Sequence, residues 1–89
     1  MKAVITVIGK DSVGILAKVS EACSKADVNI VEVTQSVLQD MFAMIMLVAI
    51  YKSNIGFEQL RTNLKAVGES TNTKVHVMHE DIFNSMHRI

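Results

Sequence analysis

Aromatic side chains are scarce in this sequence: three Phe, one Tyr and no Trp amount to 4% of its 89 residues. A core built from such a chain must be filled by Val, Ile, Leu, Met and Ala, which supply nearly all of its 49% hydrophobic content. That content excludes a disordered chain, which lacks the apolar side chains needed to offset the entropy of folding. An excess of charge of one sign is missing too. Nine Lys and Arg balance nine Asp and Glu, scattered so that no face projects the positive field a phosphate backbone requires, and nucleic-acid binding is not expected. Long apolar runs are also absent. The longest, Met41 to Tyr51, has eleven residues against the ~20 of a membrane-spanning helix, so it reads as a strand and no membrane partner is expected. A single Cys cannot form an internal disulfide and suits a reducing compartment. The N-terminus passes from one Lys directly into Ala3-Val4-Ile5-Thr6-Val7-Ile8, without the cationic, apolar and cleavage segments of an export leader. A cytoplasmic location is the expectation.

What is present reads as one domain of alternating strands and helices. Lys2 to Gly9 is almost entirely β-branched and stops at a glycine, the pattern of a buried strand. After Gly9-Lys10-Asp11-Ser12-Val13-Gly14, with Asp11 or Ser12 as a side-chain cap, Ile15, Val19, Ala22 and Ala26 recur at helical spacing, widened by Leu16 and Cys23. Asp27-Val28-Asn29 breaks that period. Ile30 to Leu38 returns to β composition, and Gln39-Asp40 separates it from the Met41 run, which predicts a hairpin. Phe57, Leu60, Leu64 and Val67 mark a second helix with Ser53-Asn54 as cap candidates and Gly68 weakening its last turn. Lys74 to His79 is a last strand. Ile82, Phe83, Met86 and Ile89 then share one face of a short helix capped by Asp81, which must dock to be stable.

The order strand, helix, strand, strand, helix, strand is the split βαβ arrangement of ferredoxin-like α+β folds. Right-handed crossovers place both helices on one face of a four-stranded antiparallel sheet. The third strand is apolar on both parities, Met41, Ala43, Ile45, Leu47 and Ala49 against Phe42, Met44, Met46, Val48 and Ile50. The face without helices therefore needs cover, from the C-terminal helix or from a second subunit.

Three groups of residues are candidates for chemistry. A glycine-bounded loop at a helix N-terminus offers unpaired backbone N–H groups and a positive dipole end to a small carboxylate, and Asn29 offers an amide that donates and accepts. Equally, Gly14 permits a tight helix entry and Asn29 holds a turn, as such residues commonly do. His76 and His79, beside Glu80 and Asp81, have the chemistry of metal ligands, but residues three apart on a strand point to opposite faces, so no metal site is expected. Cys23 lies beside the apolar stripe without an acidic or His partner, and the Ser residues occupy no nucleophile context. Neither catalysis nor a cofactor is expected.

The string Val7-Ile8-Gly9-Lys10-Asp11-Ser12-Val13-Gly14-Ile15-Leu16, with Val28-Asn29-Ile30 opening the second strand, resembles the signature of ACT domains. His76-Val77-Met78-His79-Glu80-Asp81-Ile82-Phe83 adds a likeness to the short stand-alone prokaryotic ACT proteins, which are similar to the ACT modules of the glycine-cleavage-system transcriptional repressor. The resemblance implies an ACT-like domain over residues 1–80 and a helical extension over 81–89. It implies a non-catalytic regulatory module that forms a homodimer or higher homo-oligomer, often edge to edge, and binds a small amino acid at the subunit interface. The ligand positions carried over are Asp11, Val13, Gly14, Asn29 and Ile30. Ser12-Val13 stands where many members have a basic residue and Pro, so no particular ligand is specified. The alternative is an adaptor without a ligand that docks a protein partner through the sheet and the C-terminal helix.

Overall fold

The computed structural model describes residues 2–10, 14–50 and 54–86, the side chains of Leu38 and Met86 excepted. The elements run β1 (Lys2–Gly9), α1 (Ile15–Lys25), β2 (Asn29–Leu38), β3 (Met41–Ala49), α2 (Phe57–Thr71), β4 (Lys74–His79) and α3 (Glu80–Met86). The sheet has the order β2-β3-β1-β4 with every neighbouring pair antiparallel. This is the expected ferredoxin-like α+β architecture.

One face of the sheet meets α1 and α2. Ile5 and Val7 of β1, Met44 and Met46 of β3, Ile15 and Val19 of α1, and Leu60 and Leu64 of α2 are each 1% exposed or less. Complete burial of such a side chain contributes about 1.5–3 kcal/mol. On α1 the buried stripe is Ile15, Val19, Cys23 and Ala26, whereas Leu16 is 37% exposed. Leu16 thus falls outside the stripe it was expected to widen, because it turns away from both α2 and the sheet.

The opposite face is unequally covered. With α2 packed on the other side of β4, α3 lies across β1 and β4 on this outer face, and at that end Val4 and Ala49 are 3% and 6% exposed. Toward the hairpin, Ile8, Met41 and Ile45 are 44%, 41% and 42% exposed. The C-terminal helix therefore supplies only part of the cover. Phe83 is half-buried and Ile82 exposed, so these two do not share the docked face; Ile89 lies outside the described residues.

Gln39, with φ 58°, turns the hairpin. In β2 the register slips between Ile30 and Glu32, leaving Val31 as the extra residue of a bulge. Three helix starts differ from expectation. The cap of α1 falls on Gly14 and that of α2 on Gly56, neither with a side-chain cap, and Ser53 lies outside the described residues, as do Asp11 and Ser12. Asp81 lies within the first turn of α3, and its backbone N–H donates to Nδ1 of His79 at 3.1 Å, so His79 is the capping residue. Gly68 does not end α2, which runs on to Thr71 and closes on left-handed Asn72. A Cβ at Gly68 would stand 2.8 Å from Cγ2 of Val75 and 3.0 Å from the carbonyl oxygen of Thr73. Glycine is what lets α2 approach β4.

Candidate functional site

Strand register decides what the candidate residues can do together. Asn29 shares a row with Ala49 and Lys2, whereas Gly9 shares one with Phe42 and Val37. Those rows are seven residues apart along β1, roughly 23 Å at strand spacing. Gly14 stands at the Gly9 end, where α1 begins, and α1 carries the chain back to the Asn29 end. Within one chain the structure does not bring Gly14 together with Asn29 and Ile30. Asp11 and Val13 lie outside the described residues.

At the first end, Gly14 is exposed and left-handed, with φ 75° and ψ 0°, a conformation that costs glycine little and other residues more. Its carbonyl accepts the Lys18 N–H at 3.0 Å, which starts the helix. The first turn of α1 contains no acidic residue, so its positive end is not offset locally. Nearby, an open cavity of about 780 Å³ has Ile8 and Met41 on its apolar side and Lys10, Asn72 and Lys74 on its polar side.

At the other end, Asn29 is exposed and Ile30 half-buried against the core. Asn29 borders an open cavity of about 480 Å³ together with Ser24, Asp27 and Val28. This corner is fixed by Asn54, a residue the sequence suggested as a helix cap. Its Nδ2 donates to the Lys25 carbonyl at 2.9 Å and to Oδ2 of Asp27 at 3.0 Å, and its backbone N–H donates to the Ala26 carbonyl at 3.0 Å. The clamp ties off the carbonyls that end α1 and holds Asp27 at φ 56°, which sets the point where Asn29 enters β2. Nothing in the local sequence distinguishes such a clamp from a cap, since both require a short amide side chain in a loop.

The remaining candidates separate. His76 pairs with Thr6 and His79 with Ala3, so they face opposite sides of β4. Cys23 is 1% exposed, and burial pushes its thiol up to about 11, which keeps it protonated and unreactive at neutral pH.

β2 occupies one border of the sheet and carries Val31, Val33 and Val37 at 49%, 37% and 68% exposure. An uncovered border strand presents unpaired backbone groups to any strand that can align with it.

Comparison with known proteins fits this geometry. The family model described as the ACT domain matches residues 2–78. A UPF0237 protein of Listeria innocua is 42% identical over 89 residues, covering 100% of both chains. An ACT domain protein from Streptococcus pneumoniae superposes with a TM-score of 0.81 at 37% identity, covering 93% of each chain. A protein solved as a candidate glycine cleavage system transcriptional repressor superposes with a TM-score of 0.74 at 24% identity, over 89% of this chain and 47% of that one. In sequence and in fold alike, this chain belongs to the ACT domain family.

Proposed function

We propose that the chain is a non-catalytic regulatory module: two copies pair along β2, and a small amino acid binds where the Gly14 corner of one meets Asn29 and Ile30 of the other. The observation that carries this is the separation of Gly14 and Asn29 at opposite ends of the fold, with an uncovered strand between them. A twofold axis through Val33 pairs the β2 strands antiparallel and sets the partner's Asn29 beside Val37. Val37 shares its row with Phe42 and Gly9, so the partner's Asn29 arrives at the end where α1 begins. One copy then offers the helix N-terminus to a carboxylate, with Asp11 and Val13 just before it in the chain. The other offers the Asn29 amide. Occupancy alters the pairing geometry only as far as the ligand binds one arrangement better than another.

Sedimentation equilibrium and calorimetry against the twenty amino acids test this. The chain is expected to be a dimer and to bind at least one amino acid. Asn29→Ala should keep the dimer and weaken binding about tenfold, the loss of one hydrogen bond to a charged group. Val33→Glu places like charges opposite each other across the axis and should abolish pairing and binding together. A monomer that still binds would overturn the proposal, as would a dimer that binds none of the twenty.

A second reading rests on the exposed Ile8, Met41 and Ile45: an adaptor without a small ligand, docking a protein partner through the sheet face and α3. Truncation after His79 would then abolish partner capture, whereas amino-acid binding near Gly14 would survive it.

A further inference from the structure

The half of the outer face that α3 does not cover and the side of α3 that the sheet does not cover complement each other in shape and charge. Strand register fixes where both lie. Val4, Thr6 and Ile8 alternate onto the outer face along β1, and Thr6 shares its row with Ile45 and His76. On the side of that row where α3 packs, Val4 is 3% exposed; equally far on the other side Ile8 is 44% exposed, with Met41 and Ile45 at 41% and 42%. α3 has an exposed apolar residue of its own. Beside the half-buried Phe83, Ile82 is 54% exposed. We propose that this face binds a second copy of the chain, the α3 of each seated on the uncovered half of the other.

A twofold axis lying in the contact along the Thr6 row exchanges positions two residues to either side of it. It carries the α3 that lies over Val4 in one copy across Ile8 of the other, and the reverse, so the contact is isologous and closes on two copies. The two short helices then form one layer between facing sheets, with Ile82 available to the apolar patch of the partner. Any apolar partner could fill such a patch, and charge selects this one. Glu80 and Asp81 occupy the first turn of α3, and the Asp81 side chain is 85% exposed. His79, just before them, pairs with Ala3, three residues from Thr6, so the axis brings the start of α3 to the Gly9 row of the facing copy, three residues the other way. There Lys10 and Lys74 border one cavity with Ile8 and Met41. Two acids thus approach two lysines, with Glu69 the one acid on that cavity. Exposed pairs of this kind add little strength, but they fix orientation and penalise other partners. The inference does not rest on pairing along β2, which uses the border of the sheet and leaves this face open. A helix of seven residues is only about 10 Å long, which puts the contact among small, reversible interfaces. Association therefore rises with concentration.

Sedimentation equilibrium of the full-length chain over a rising concentration series tests this. The mass measured at low concentration, that of the β2 pair, should double at the concentrated end. In Val33→Glu, which removes β2 pairing, it should rise from one chain to two, so failure of the face contact and failure of the β2 pairing are told apart. Ile82→Asp should abolish the doubling while keeping the low-concentration mass and the urea midpoint of the parent, since Ile82 is exposed. Lys74→Glu should weaken the association about fivefold, and Asp81→Lys in the same chain should recover most of that loss. A mass that never exceeds its low-concentration value leaves the face to an occupant of other sequence and overturns the proposal. Doubling that survives both Ile82→Asp and Lys74→Glu overturns it as well.

Discussion

β3 offers nearly the same apolar composition to both faces of the sheet, and the two faces meet different fates. Phe42, Met44, Met46 and Val48 lie beneath two helices and are 5% exposed or less, whereas Met41 and Ile45, one residue out of phase, are 41% and 42% exposed. Hydrophobicity alone does not decide burial in this molecule. What decides it is whether a covering element reaches the position: α3 packs on β1 and β4, and Val4 of β1 is buried while Ile8 and Ile45 are not. One face is a finished core, and the other is a surface whose energetics depend on seven residues of helix.

The contrast can be broken most forcefully at Leu64, which is fully buried. Leu64→Ala should cost about 2–5 kcal/mol in urea-induced unfolding, the transfer energy plus the cavity left behind. Cys23 probes the same closed face through pH. Its folded-state thiol is held at about 11 against an ordinary 9.0, so the unfolded chain ionises first as pH rises. Stability is unaffected below pH 9 and should fall between pH 9 and about pH 11, by roughly 1.4 kcal/mol per unit. Cys23→Ala should remove that decline, as unfolding curves across the window would show. Gly68→Ala tests the approach of α2 to β4. The added methyl meets Val75 and the Thr73 carbonyl, and this crowding should cost about 1–3 kcal/mol despite the better helix propensity of Ala. At the open face, Ile45→Ser should change the stability of the isolated chain by only about 0.5 kcal/mol. A much larger loss there would mean that the outer face is as closed as the inner one.

The strands and their order were legible because β-branched runs ended by glycines and polar pairs leave little choice. Lys2–Gly9 and Lys74–His79 carry the limits read from their composition, and Gln39-Asp40 is the turn. The helix starts were not legible. Asp11, Ser12, Ser53, Asn54 and Asp81 all have the short polar side chain of a cap, yet the cap positions fall on Gly14 and Gly56, which enter their helices without a side-chain acceptor, and on His79, whose ring nitrogen takes the amide instead. The bulge at Val31 was equally hidden, since alternation read along one strand contains no information about its partner. For the candidate site, the residue types were visible but their spacing in space was not. Gly14 and Asn29 are fifteen positions apart in the chain, and only the register shows that a helix and a strand length separate them.

The bulge has one more effect. A straight border of hydrogen-bonding groups could add strands without limit, as fibrils do. The bulge between Ile30 and Glu32 interrupts the regular run of β2 and adds local twist, while the opposite border, β4, has only six residues. In the proposed pairing each β2 is taken up by its partner and only the short β4 is left at either border, which disfavours growth of the sheet beyond two copies.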